Sequence, residues 1–126
     1  MFSRPGCFLR IVADVKTYSM GQVFAWEIAF QQEHLLVFGS MGLLPDVDYP
    51  SGGTLVLPLQ GNSRIDHLAL EAVKRIQPGT VIVFHHDDSF PPVSSEINPT
   101  NFRTLMKRSL PGVKLIVPSP GETFTV

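Results

Sequence analysis

Ile65, Leu68, Ala69, Ala72, Val73 and Ile76 recur at i, i+3, i+4, i+7, i+8 and i+11 between two short, continuous apolar runs. That spacing puts every large side chain on one face of a helix, and a strand with its period of two has no use for it. The flanking runs, Thr54 to Leu59 (TLVLPL) and Thr80 to Phe84 (TVIVF), read as strands buried on both faces. Strand, helix and strand in that order favour parallel pairing through a right-handed crossover. Ser63 stands where it can cap the helix, with Asp66 at the capping-box position, and Pro78-Gly79 ends it. A second crossover follows. Asn98-Pro99 offers an N-cap and a first-turn proline, and Phe102, Leu105, Met106 and Leu110 form the apolar stripe. Pro111-Gly112 stops that helix, and Val113 to Val117 reads as the last strand.

The first third of the chain is strand-like. Phe8 to Asp14 is short and β-rich, and Val23 to Phe30 alternates, with Phe24, Trp26, Ile28 and Phe30 on one face. Gln31-Gln32-Glu33 joins it to His34–Phe38, which predicts a hairpin that stops at Gly39-Ser40-Met41-Gly42. Pro45 to Gly53 reads as a loop. The order is a hairpin and then β-α-β-α-β. The expected fold class is α/β, a mixed sheet with two helices on one face and the other face covered by a partner. A single domain over 1–126 is expected, with 1–19 a loosely attached N-terminal segment.

Composition narrows the partners. Apolar residues make up 44% of the 126 and charged residues 17%, a lightly charged surface that suggests apolar area under a partner. A net charge of −1 gives no electrostatic footprint for nucleic acid or an anionic membrane, so neither is expected. No apolar run reaches the roughly 20 residues of a membrane-spanning helix. Cys7 is the sole cysteine, which excludes an internal disulfide, and Met1 to Arg10 has no apolar signal-peptide core. A cytoplasmic location is the expectation.

The chemistry concentrates in His85-His86-Asp87-Asp88, directly after a buried strand. Ligands of open α/β sheets bind beyond the carboxyl ends of the strands, where Gly39 to Gly42 and Gln60 to Asn62 also fall. Imidazole and carboxylate are zinc-binding groups, but neighbours on a strand point to opposite faces, so His85 and His86 are not expected to share one ion. The tetrapeptide also reads as a polar loop whose aspartates cap local N–H groups. His34, at a hairpin turn, and His67, on the polar side of the helix, read as solvated. Cys7 reads as inert. Gly39-Ser40-Met41-Gly42 lacks the spacing of a nucleophile turn, and Gly52-Gly53 lacks the lysine and helix of a phosphate loop.

Three stretches carry a resemblance: Gly39-Ser40-Met41-Gly42, Leu55 to Asn62 (LVLPLQGN), and His85-His86-Asp87-Asp88-Ser89-Phe90-Pro91-Pro92. Over about residues 20 to 126 the chain resembles the C-terminal half of metallo-β-lactamase-fold hydrolases, in the branch similar to ascorbate-6-phosphate lactonase. The resemblance implies half of a four-layer αββα sandwich, with one or two metal ions, usually zinc, at the edge between the halves. His85 then matches the last metal-ligand histidine, with His86 and Asp87 as further metal candidates. Ser40 falls where a metal-bridging aspartate usually sits, and Asp87 and Asp88 match a polar pair beside the site. Ser40, Asn62 and Asp88 are the expected ligand-binding residues. The family's His-x-His-x-Asp-His motif is absent, and no segment before residue 20 is expected to hold the other half. A catalytic zinc needs about three protein ligands, and this chain offers one of those expected.

Two functions follow. One is a truncated or half-domain metal-dependent hydrolase, acting on an ester, lactone, amide or phosphoester, with little or no activity as an isolated chain. A missing half-domain packed on the sheet would complete it. The other is a non-catalytic homodimer that binds a small molecule or a metal, two copies packed sheet to sheet about 10 Å apart. Neither names a substrate, because this fold hosts many chemistries.

Overall fold

A computed structural model describes residues 7–16, 22–89, 91–92 and 94–126. The elements are β1 (Cys7–Lys16), β2 (Gln22–Phe30), β3 (Glu33–Phe38), β4 (Thr54–Pro58), α1 (Ile65–Ile76), β5 (Thr80–Phe84), α2 (Thr100–Ser109) and β6 (Lys114–Ile116). The six strands lie side by side in chain order. β1, β2 and β3 pair antiparallel, and β3 to β6 pair parallel. The sheet is therefore mixed and the class α/β. Residues 7–16, within the segment expected to be loosely attached, pair along the length of β2. Residues 1–6 and 17–19 of that segment lie outside the described residues.

Register assigns the two faces. Leu36, Leu55, Val81 and Leu115 stand in one row, with Phe38, Leu57 and Val83 on the same side. They are buried against Ile65, Ala69, Ala72, Val73 and Ile76 of α1 and Phe102 and Met106 of α2, so both helices pack on this inner face. Emptying such a site, as in Phe102→Ala, costs about 3–5 kcal/mol in comparable cores. The alternate residues form the outer face. Trp26, Val37, Val56, Ile82 and Ile116 make its middle row, with Ile28 and Leu35 to one side.

The helix ends depart from the sequence reading by a residue or two. Ser63 makes no cap hydrogen bond, and the helix opens at Ile65 after Arg64. Asn62 Oδ1 instead accepts the Arg64 N–H at 2.8 Å. The turn at Gly61, with φ +89°, brings this acceptor into place one residue earlier than the capping-box spacing assumed. Asp66 Oδ1 is buried with no hydrogen-bond partner, so no capping box forms. Gln77, in the left-handed region, closes α1 before Pro78-Gly79 and donates its N–H to the Val73 carbonyl. At α2, Asn98 Oδ1 accepts the Thr100 N–H at 3.0 Å, and Pro99 takes the first helical conformation.

Two contacts shape the crossover from β3 to β4. Arg75 on α1 donates to the carbonyl oxygens of Leu44, Pro45 and Val47 at 2.9, 3.1 and 2.6 Å. Its guanidinium lies 5.0 Å from the centre of the Tyr49 ring, whose hydroxyl accepts the Leu44 N–H at 3.2 Å. Arg75 thereby holds the loop against the inner face, where Leu43, Val47 and Tyr49 pack on the core. At the other end of the crossover, just before β4, Gly53 has φ +62°, and a Cβ there would sit 2.5 Å from the His34 carbonyl oxygen and 2.7 Å from its Nε2. His34 is not simply solvated, as its place at a hairpin suggested. It shares the inner face with Leu36 and Phe38 by alternation, which half-buries it and leaves Nε2 buried without a hydrogen-bond partner. His67 is exposed, as expected.

Candidate functional site

Because β3, β4 and β5 run parallel, their carboxyl ends share one edge of the sheet. The turns beyond those ends are Gly39 to Gly42, Gln60 to Asn62 and His85 to Asp88. The first two and His85 converge on a cavity of about 640 Å³. Met41, Leu43, Pro58, Ile65 and Leu68 give its apolar wall, and Ser40, Gln60, Asn62, Glu71 and His85 its polar groups. Crevices at this edge are the usual ligand sites of open α/β sheets.

His85 is held in two ways. Its backbone adopts φ +65°, a left-handed conformation costly for a residue with a side chain. Its Nδ1 lies 3.1 Å from Asp88 Oδ2. With Nδ1–H donated to that carboxylate, Nε2 is the nitrogen left to meet a ligand, as an acceptor. Asp88 is thus a positioning residue for His85 rather than a lining residue of the cavity. Phe84 stacks obliquely beside the imidazole, ring centres 6.4 Å apart.

His86 turns away. With Asp87, Glu96, Ile97, Asn98 and Pro99 it lines a separate cavity of about 350 Å³. Its carbonyl oxygen accepts the Ile97 N–H at 2.8 Å, and its Nδ1 is buried with no hydrogen-bond partner. The two histidines therefore line different cavities, but both lie beyond the end of β5, so the left-handed turn at His85 separates them rather than the strand alternation expected from the sequence.

The remaining residues show what sequence reasoning missed. Gln60 is a clasp: its Nε2 donates to the carbonyl oxygens of Asp88 and Ser95 at 2.8 and 2.9 Å, and its Oε1 accepts the Gly61 N–H at 3.0 Å. It fastens the turn after β4 to the histidine loop. Ser40 Oγ accepts the Gly42 N–H at 3.3 Å, which stabilises its own turn. Asn62 spends its Oδ1 on Arg64. Glu71 lines the cavity from α1 and was not singled out. Its signal was its place three residues after Leu68, on the same side of the helix. Beside the site, burial raises the Asp66 carboxyl above its ordinary range, an effect that the neighbouring His67 charge opposes.

A metal site needs ligands close together. Among the described residues, no three of His, Cys, Asp and Glu are placed to hold one ion. The residues present thus do not fit a catalytic zinc held by this chain alone. No protein-family model matches the sequence, and none of the curated proteins is significantly similar to it. Among the described residues, no helix is long and apolar enough to cross a membrane.

Proposed function

We propose that the chain is a half-domain relative of the metal-dependent hydrolases of the metallo-β-lactamase fold, with little or no activity by itself. The observation that supports it is His85, backed by Asp88, on the wall of a cavity at the carboxyl edge of parallel strands. A carboxylate on the far nitrogen is how a metal-binding imidazole is usually oriented. His85 supplies one donor, and the other donors come from a second half-domain or a second copy seated on the outer face. Zinc is the metal that a histidine-centred site favours.

A second reading has its own support. The cavity, about 640 Å³, falls in the range of small-molecule pockets and is built wholly from this chain. A non-catalytic homodimer that binds a small molecule needs nothing further. Metal content and molar mass, measured on one purified sample, separate the two. About one zinc per chain in a dimer, lost in His85→Ala, supports the hydrolase relative. A metal-free dimer supports the binding module. Robust metal-dependent hydrolysis by the monomer would overturn both.

A further inference from the structure

We infer that the cavity at the carboxyl edge takes a small molecule with a protonated amine and a short apolar body, and discriminates against phosphorylated ligands. The inference rests on reading this cavity as the ligand site, which both proposed functions share, and it names the class of ligand.

The argument is an inventory of charges and hydrogen-bonding groups. No Lys or Arg lies among the described residues that line the cavity. A phosphate therefore finds no cationic side chain there, only the partial positive charge at the amino terminus of α1, which Glu71 on the same helix offsets. The one lining side chain with a formal charge at neutral pH is Glu71, if His85 is counted neutral.

Glu71 is also left without its natural partner. On a helix, the residue four positions on is the usual cationic neighbour of a glutamate, and here that is Arg75. Arg75 is drawn to the opposite task, held by the carbonyl oxygens of Leu44, Pro45 and Val47 and by the Tyr49 ring. Among the described residues Glu71 forms no ion pair.

The other side-chain acceptors on the wall each already take one backbone N–H, which leaves them one lone pair apiece. Gln60 Oε1 takes the Gly61 N–H, Asn62 Oδ1 takes the Arg64 N–H, and Ser40 Oγ takes the Gly42 N–H. Glu71 and His85 Nε2, an acceptor while Asp88 holds the Nδ1 proton, are the lining acceptors that take no hydrogen bond from the described residues. Two acceptors, one of them anionic, call for a cationic donor with several N–H groups, which a primary ammonium has. Met41, Leu43, Ile65 and Leu68 provide the surface for an apolar tail of a few carbons. Within the hydrolase reading, the substrate is then an ester, lactone or amide that bears an amine, and not a phosphoester.

The test uses n-pentylamine, 1-pentanol and n-pentyl phosphate with the whole chain in the presence of a chelator, followed by amide NMR shifts at Gly39, Gly42 and Gly61. We expect saturable shifts with pentylammonium, about fivefold weaker binding of the alcohol, and the weakest binding of the phosphate. Glu71→Gln should bring amine and alcohol level, and Glu71→Lys, at an exposed helical position that accepts lysine, should reverse the order of amine and phosphate. The inference is overturned by phosphate binding as tight as the amine, by an order that Glu71→Gln leaves unchanged, or by no saturable shift with any probe. A separate zinc titration keeps the readings apart. Amine binding without zinc binding removes the hydrolase reading alone, and zinc binding without amine binding removes only this one.

Discussion

His85 holds a left-handed backbone that glycine would hold at lower cost, and it does so beside a cavity. Strain of this kind, worth about 1–3 kcal/mol, persists where the side chain has another use. His85→Gly is therefore expected to keep or raise the thermal midpoint while removing whatever ligand or metal His85 holds. A clear fall in the midpoint would instead mean that the imidazole supports the loop through Asp88. Asp66 makes a pH prediction. Its folded pKa is raised by burial, so between its ordinary value near 3.8 and the raised value the folded state binds more protons than the unfolded one. Stability then falls as pH rises through that window and stays lower above it. The cause outweighs the favourable position of an anion in the first turn of α1. Asp66→Asn should raise the unfolding midpoint at neutral pH and flatten its decline between pH 3.8 and neutrality, measured by denaturation across that range. An unchanged pH profile would remove Asp66 from the account. None of this was legible in the sequence, since a buried unpartnered oxygen at Asp66 and a positive φ at His85 depend on the turns before α1 and after β5.

At the scale of elements the sequence was most readable where one periodic pattern decides the outcome. The α1 stripe and the apolar runs of β4 and β5 identified themselves, because burial on one face or two leaves a direct trace in residue order. The convergence of Gly39 to Gly42, Gln60 to Asn62 and His85 followed from parallel pairing alone. What the pattern could not carry were contacts between residues far apart in the chain. Arg75 stands among the last-turn cations of α1, where nothing in the sequence sets it apart, yet it fastens the loop from Leu44 to Val47. Arg75→Ala is expected to lower stability by about 1 kcal/mol and to speed hydrogen exchange at Leu44 and Val47, with Arg75→Lys restoring little, because one ammonium cannot reach three carbonyls and stack on Tyr49. Equal exchange in all three proteins would show that the core contacts of Leu43 and Tyr49 hold the loop without it. Gly53 gives a sharper case. Gly53→Ala should cost about 2 kcal/mol or more in chemical denaturation, through both the positive φ and the approach to His34. Combining it with His34→Ala should recover only part of the loss, since the nearest atom is the His34 backbone oxygen. Full recovery would locate the whole conflict in the imidazole.

The whole molecule has two unlike faces, and the argument for a partner comes from the difference. Both helices and the loop held by Arg75 pack on the inner face. The outer face presents Trp26, Ile28, Leu35, Val37, Val56 and Ile116, all only partly buried, with Phe30 and Phe84 55% and 38% exposed. Its rows from β2 to β6 are apolar apart from Glu33, opposite Phe30, and Thr54, Thr80 and Lys114, all along the amino-terminal side of the parallel strands. Six strands at about 4.8 Å spacing and some 17–20 Å long give a patch of roughly 500–600 Å² in outline, at the upper end of what a monomer ordinarily leaves to water. Two such patches facing each other come near the lower end of specific interfaces, about 1,200 Å² in total. The alternating row from Phe24 to Phe30 announced this face in the sequence, but register was needed to show that it joins Val37, Val56, Ile82 and Ile116 into one surface. At concentrations suited to light scattering, the chain is expected to weigh more than its own 13.9 kDa. Val37→Lys, which puts a charge in the middle row while leaving the inner core untouched, should return it to the monomer mass with an unchanged far-ultraviolet spectrum. The freed face of that variant should bind an apolar dye that the unsubstituted protein excludes. A monomeric unsubstituted protein that also excludes the dye would mean that the outer face is covered from within the chain, and the case for a second half or a second copy would then fail.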